Sequence, residues 1–129
     1  MIKLLLLCLL LNSPALIAGE FRHFNEWTNK EKAELLAYSS LAYLDYRQTA
    51  WAIEQRDSLG NPLFSERNPA FGRYPEKNEL IATQIIATGF YYYLVGKNYD
   101  PLIRGSILGI RLAAVIHNDS IGARIYKVF

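Results

Sequence analysis

The sequence predicts an all-α protein: a small three-helix bundle behind an N-terminal signal sequence, membrane-associated, with a short extended C-terminal tail. Three observations carry this. A capping box, Thr28-Asn29-Lys30-Glu31, opens a long amphipathic segment. An uncharged run from Leu80 to Gly96 follows a turn-rich loop, and Asp100-Pro101 opens a third apolar segment. The 129 residues fit one domain, and 51% hydrophobic against 20% charged excludes a disordered or solvating chain. A net charge of +2, evenly spread, gives no footprint for nucleic acid. The single Cys can neither close an intrachain disulfide nor build a zinc site.

Residues 1–19 read as a signal peptide. Lys3 supplies the positive start, Leu4 to Leu11 the apolar stretch, and Asn12-Ser13-Pro14 the break before Ala18-Gly19. That stretch is too short for a hydrocarbon core of about 30 Å. Leu16 or Ile17 stands where a small residue is usual, which leaves an uncleaved anchor as the alternative. Cys8 lies inside the apolar stretch with almost nothing before it, a poor setting for lipidation.

Residues 20–129 then form a single helical domain. The first helix runs from the capping box to about Gln55, its stripe built from Leu35, Tyr38, Ala42, Asp45, Thr49 and Ala52. A long loop at 56–77 carries Gly60-Asn61-Pro62, Asn68-Pro69, Gly72 and Pro75. The second helix starts near Asn78 and ends in Phe90-Tyr91-Tyr92-Tyr93, an aromatic cluster of the kind found at membrane interfaces. The third takes Asp100 as N-cap and runs to about His117. Its Gly105, Gly109 and Ala113 make a small-residue face suited to close packing against Ala82, Ala87 and Gly89 of the second helix. Arg104 and Arg111 interrupt it and argue against a bare lipid-facing span. The alternating tail from Ser120 to Phe129 resembles a last barrel strand, but the chain has helices where the other strands should be.

Asp45 and Thr49 share a helix face beside Ala42 and Ala52, and a carboxylate buried there must be hydrogen-bonded. An ion or proton site is one reading. A polar clasp that fixes helix packing through Arg104 or Arg111, with Gln48 and Asn68 able to join, is the favoured one. His23 and His117 are far apart and neither has metal spacing with another ligand. Ser106 lacks an elbow motif, and there is no P-loop and no GxGxxG. No catalytic residue, cofactor or metal is expected. Phe21, Phe24 and Trp27 suit either a bilayer surface or a hydrophobic staple into the first helix.

The ordered set Asp45-Tyr46-Arg47-Gln48-Thr49, Asn68-Pro69-Ala70-Phe71-Gly72-Arg73-Tyr74-Pro75, Asn78 and Ser120-Ile121-Gly122-Ala123-Arg124 resembles a group of small exported proteins of tailed bacteriophages and prophages, mostly hypothetical. The likeness covers about residues 26 to 129, and departs from the group in a longer stretch from Asn61-Pro62 to Glu66. It implies phage origin and helical membrane association, and brings no catalytic residue. The expectation is a non-catalytic protein at the bacterial inner membrane. It would act by contact with the membrane and another envelope protein, in superinfection exclusion or lysis, with a homo-oligomer left open. The alternative is a soluble periplasmic helical module binding an envelope protein or peptidoglycan fragment.

Overall fold

The computed structural model describes residues 19–64 and 75–123. Within them lie α1 (Asn29–Glu54), α2 (Lys77–Gly96) and α3 (Pro101–Ser120), preceded by a 3-10 turn at Phe24–Glu26, and no strand. The protein is a small helical bundle.

Each helix begins where its sequence supplies acceptors for the free N–H groups of the first turn. At α1, Thr28 Oγ1 accepts from the Glu31 amide at 3.2 Å while Glu31 Oε2 accepts from the Thr28 amide at 2.8 Å. At α2, Glu79 Oε2 accepts from the Glu76 amide at 2.9 Å. At α3, Asp100 accepts from the Leu102 amide at 2.7 Å and Pro101 takes the position that needs no donor.

The helices also end for local reasons. Asn98 takes a left-handed conformation, φ 52°, so that the Tyr99 amide reaches Leu94 O and the Asn98 amide reaches Val95 O, each at 2.9 Å. Leu94 and Tyr99 pack together over this Schellman turn. Gly122, at φ 106°, closes α3 the same way, with the Ala123 amide on Asn118 O. The expected extended tail is therefore corrected at its start: Ser120 ends the helix and Ile121–Ala123 form its closing turn. Residues 124–129 lie outside the described residues, as do residues 1–18, so the signal sequence has no structural description. Of the long loop, Asp57 Oδ1 caps a tight turn by accepting from the Leu59 and Asn61 amides, and Arg56 bridges to Pro62.

The helix α1 packs along both α2 and α3, which meet each other mainly near the corner that joins them. Pairs Tyr38–Tyr91 and Asp45–Gln84 set α2 antiparallel to α1, whereas Glu31–Arg104 and Gln48–Val115 set α3 parallel to it. The core holds Trp27, Tyr38, Ala42, Tyr91 and Val95. The Tyr38 and Tyr91 rings stack at 4.2 Å, 5° from parallel. An N-terminal strap closes the corner: Trp27 lies 4.8 Å from Tyr92, and the Arg22 amide donates to Gly96 O at 2.9 Å. A Cβ at Gly96 would meet the Phe21 ring, so glycine is what lets the ring lie this close to α2.

Two expectations are corrected. The cluster Phe90–Tyr93 serves the bundle interior and the strap: Tyr91 is buried, and Tyr92 and Tyr93 hold Phe21. The small-residue face does not join the helices. Gly105, Gly109 and Ala113 are exposed, as are Ala82 and Gly89, and nothing lies within 4 Å of a Cβ built on either α3 glycine. The face that turns inward carries Arg104, Ile107, Leu108, Arg111 and Val115 instead. Among the described residues no helix is long and apolar enough to cross a membrane.

Tyr91→Ala is expected to lower stability by about 3–5 kcal/mol in urea denaturation, the cost of emptying a filled aromatic site. Ile110→Ala, on the exposed face, should stay within about 0.5 kcal/mol.

Candidate functional site

Helix α1 presents Asp45 to the gap between α2 and α3, and three donors converge on it. Arg111 Nη1 donates to Oδ2 at 2.7 Å, Asn118 Nδ2 to Oδ1 at 2.9 Å, and Gln84 Nε2 to Oδ2 at 3.2 Å. The second Arg111 nitrogen donates to the Tyr38 hydroxyl at 3.1 Å, and the guanidinium lies 5.3 Å from the centre of the Tyr38 ring. Burial works against the charge on Arg111, but the Tyr38 hydroxyl and Asp45 outweigh it and raise its pKa. One carboxylate thus ties all three helices together.

One turn further along α1, Gln48 is wholly buried and its Nε2 donates to Val115 O at 3.2 Å. Arg104 does not join Asp45. It lies two turns away on α3, with Nη1 at 3.4 Å from Glu34 and 3.8 Å from Glu31. Glu31 meets Arg22 of the strap at 2.5 Å and 3.3 Å, and Arg22 also donates to Val95 O at 3.1 Å. The hydrogen bond from Arg22, opposed by burial and aided by Thr28, holds the Glu31 carboxyl at a pKa of about 2 against an ordinary 4.5. Glu31 therefore serves the helix cap and the ion pair at once.

Of the residues singled out from the sequence, Asp45 and Arg111 come together, with Gln48 beside them. Arg104 belongs to a second cluster, and Thr49 lines a pocket next to Gln48. Asn68 lies outside the described residues. Sequence reasoning missed Arg22, Glu31, Glu34, Tyr38, Gln84 and Asn118 as partners. A signal for some of them exists: Arg104 and Arg111 are seven apart, and Glu34 and Asp45 eleven apart, so each pair shares a helix face.

The pocket beside Gln48 has a volume of about 310 Å³ and lies where α1 and α3 end, bounded by Thr49, Ile53, Leu63, Phe64 and Ile121. A shallower apolar groove of about 400 Å³ runs between α1 and α2, past Tyr43, Tyr46, Ile81 and Ile85. Among the described residues no group of three or more His, Cys, Asp or Glu side chains is placed to hold a metal ion. Comparison with protein-family models, with curated proteins and with solved structures gives no match.

The geometry gives two checks. Asp45→Ala leaves the part-buried Arg111 without its carboxylate and should cost about 3 kcal/mol, the low end for a broken buried pair, whereas Asp45→Leu with Arg111→Met should recover most of that in the same denaturation assay. Glu31 titrates near 2 folded and near 4.5 unfolded, so its stabilisation is complete above about pH 4.5 and is lost as pH falls toward 2. Urea midpoints for the wild type and Glu31→Gln, compared at pH 7 and pH 3, should lie closer together at pH 3.

Proposed function

We propose that this is an exported, non-catalytic envelope protein of phage type, which lies against the bacterial inner membrane and acts by contact, in superinfection exclusion or as a lysis accessory. One observation carries the reading. Both arginines of α3 turn inward to acids of α1, so the outer side of α3 has no charged residue from Leu102 to Ile116. Leu102, Ile110 and Ile116 are 78%, 71% and 59% exposed there, with Gly105, Gly109 and Ala113 between them. An apolar face of this kind, on a helix that does not cross the bilayer, suits an orientation in the interfacial plane. The signal-like character of residues 1–19 supports the proposed compartment, and the resemblance of the ordered motifs to small exported phage proteins supports the proposed origin. A periplasmic binding module is the second reading, favoured by the mixed polar and apolar pocket beside Gln48.

Fractionation of cells expressing the full chain tests the choice, with band size read in the same gel. The wild type is expected in the membrane pellet. Ile110→Lys combined with Ile116→Lys should move at least five-sixths of it to the osmotic-shock fluid, with the melting temperature changed by no more than about 2 °C. Wild type in the shock fluid would favour the binding module, and a Lys variant kept in the pellet would overturn docking through α3. Expression in a susceptible host should lower phage plating or shift lysis time, and no change in either would remove both roles.

A further inference from the structure

Helix α2 carries an apolar stripe on the side turned away from the bundle. Its inner side, with Leu80, Tyr91, Leu94 and Val95, is buried. The outer side presents Ala82, Ile85, Ile86 and Gly89, all exposed, with Ile85 at 67% and Ile86 at 71%. These four stand at i, i+3, i+4 and i+7, the spacing of a seam between two helices. No charged residue occurs from Leu80 to Gly96, so the stripe carries no charge of its own. A Cβ built on Gly89 meets nothing within 4 Å, which leaves the backbone there open to close approach.

Shape and charge say what fits. Four residues at this spacing form the corners of the hole that receives a knob from a facing helix. Here Ala82 and Gly89 are small corners, and Ile85 and Ile86 are themselves knobs. The order small, large, large, small reads the same in both directions. A two-fold contact sets one patch against itself, and an antiparallel pair of identical helices requires that symmetry. A fluid lipid surface reads no such order. Glu76 and Glu79 stand at the start of α2, where Lys77 is already paired with Glu54. A parallel pairing would bring those acids of both copies together. An antiparallel one keeps them at opposite ends and sets the two helix dipoles head to tail.

We propose that the outer side of α2 binds a second copy of this chain as an antiparallel two-fold pair, with Ala82 opposite the partner's Gly89 and Ile85 opposite the partner's Ile86. A single helix pair is small among protein interfaces, so the dimer depends on protein concentration. The contact lies on α2, so the proposal goes beyond the membrane reading of α3 and does not depend on it.

Disulfide cross-linking in intact cells, with a membrane-permeant oxidant, reads the register wherever the protein resides. Ala82→Cys and Gly89→Cys are placed on two differently tagged full-length chains, each with Cys8→Ser so that no other thiol is present. In the proposed register these thiols face each other, while identical positions lie about 10 Å apart along the helix axis, beyond disulfide reach. The mixed disulfide should exceed either disulfide between identical chains at least fivefold, and Ile85→Glu on both chains should remove it. Ile85 is largely exposed, so that change should move the melting temperature by no more than about 2 °C. Disulfides between identical chains as strong as the mixed one, no disulfide between copies, or a cross-link only to another protein would overturn the proposal. A mixed disulfide that survives Ile85→Glu would also overturn it. The ratio of mixed to identical disulfides decides by itself should the Ile85→Glu chain fail to fold.

Discussion

The rotation of α3 about its own axis is set by two guanidinium groups that cannot be buried alone. Arg104 faces Glu31 and Glu34, and Arg111 faces Asp45, along a pair of parallel helices. Turning α3 by half a circle would bury Leu102, Ile110 and Ile116 but expose Ile107, Leu108 and Val115, so the apolar terms largely cancel. The charges do not cancel. Glu31 and Asp45 would be left against an apolar helix, at about 3–5 kcal/mol for each broken buried pair. The ion pairs therefore choose the face, even though each contributes little net stability once its own desolvation is counted.

Much else follows from that choice. With α3 fixed, its N-terminal half delivers Arg104 to a cluster where the capping box of α1, the strap and the α2–α3 corner all meet. Glu31 accepts from Thr28 and from Arg22, and Arg22 reaches Val95 O at the end of α2. The C-terminal half of α3 behaves differently. Beyond Arg111 its hydrogen bonds with α1 include Gln48 to Val115 O and Asn118 to Asp45, and the described helix ends enclose a pocket. Among the described residues the bundle is tied firmly at the corner and encloses a pocket at the other end.

Helix boundaries were legible because they are written in local chemistry. Thr28-x-x-Glu31 and Asp100-Pro101 name their caps through residues within one turn, and the structure begins α1 and α3 at those points. The left-handed Asn98 that ends α2 has a weaker signature, since asparagine signals that conformation less strongly than glycine. Facing was harder. The spacing of Gly105, Gly109 and Ala113 shows that they share a face but not which way it points, and the arginines, which the clasp reading turns toward α1, are its inner side. Likewise Phe90–Tyr93 reads equally as an interfacial belt or a core, because aromatic side chains serve both, and only Tyr38 and Trp27 across the interface decide. Assigning Asp45 to Arg111 over Arg104 requires the direction and register of α1 against α3, which no local pattern carries.

The proposed membrane face and the buried ion pairs are two consequences of one rotation. A helix with one arginine in its first turn and another at its middle would ordinarily be excluded from apolar contact on its exposed side. Here acids on α1 take both guanidinia inward, and the outer side of α3 is cleared of charge without removing a charged residue from the sequence. Polar residues that look incompatible with an apolar surface are thus what creates it. The same logic explains why the small residues lie outside: the inner side needs long side chains to reach α1, and the outer side is left with glycine, alanine and exposed aliphatics. An apolar partner, lipid or protein, would meet a surface shaped by the interior's need for charge balance.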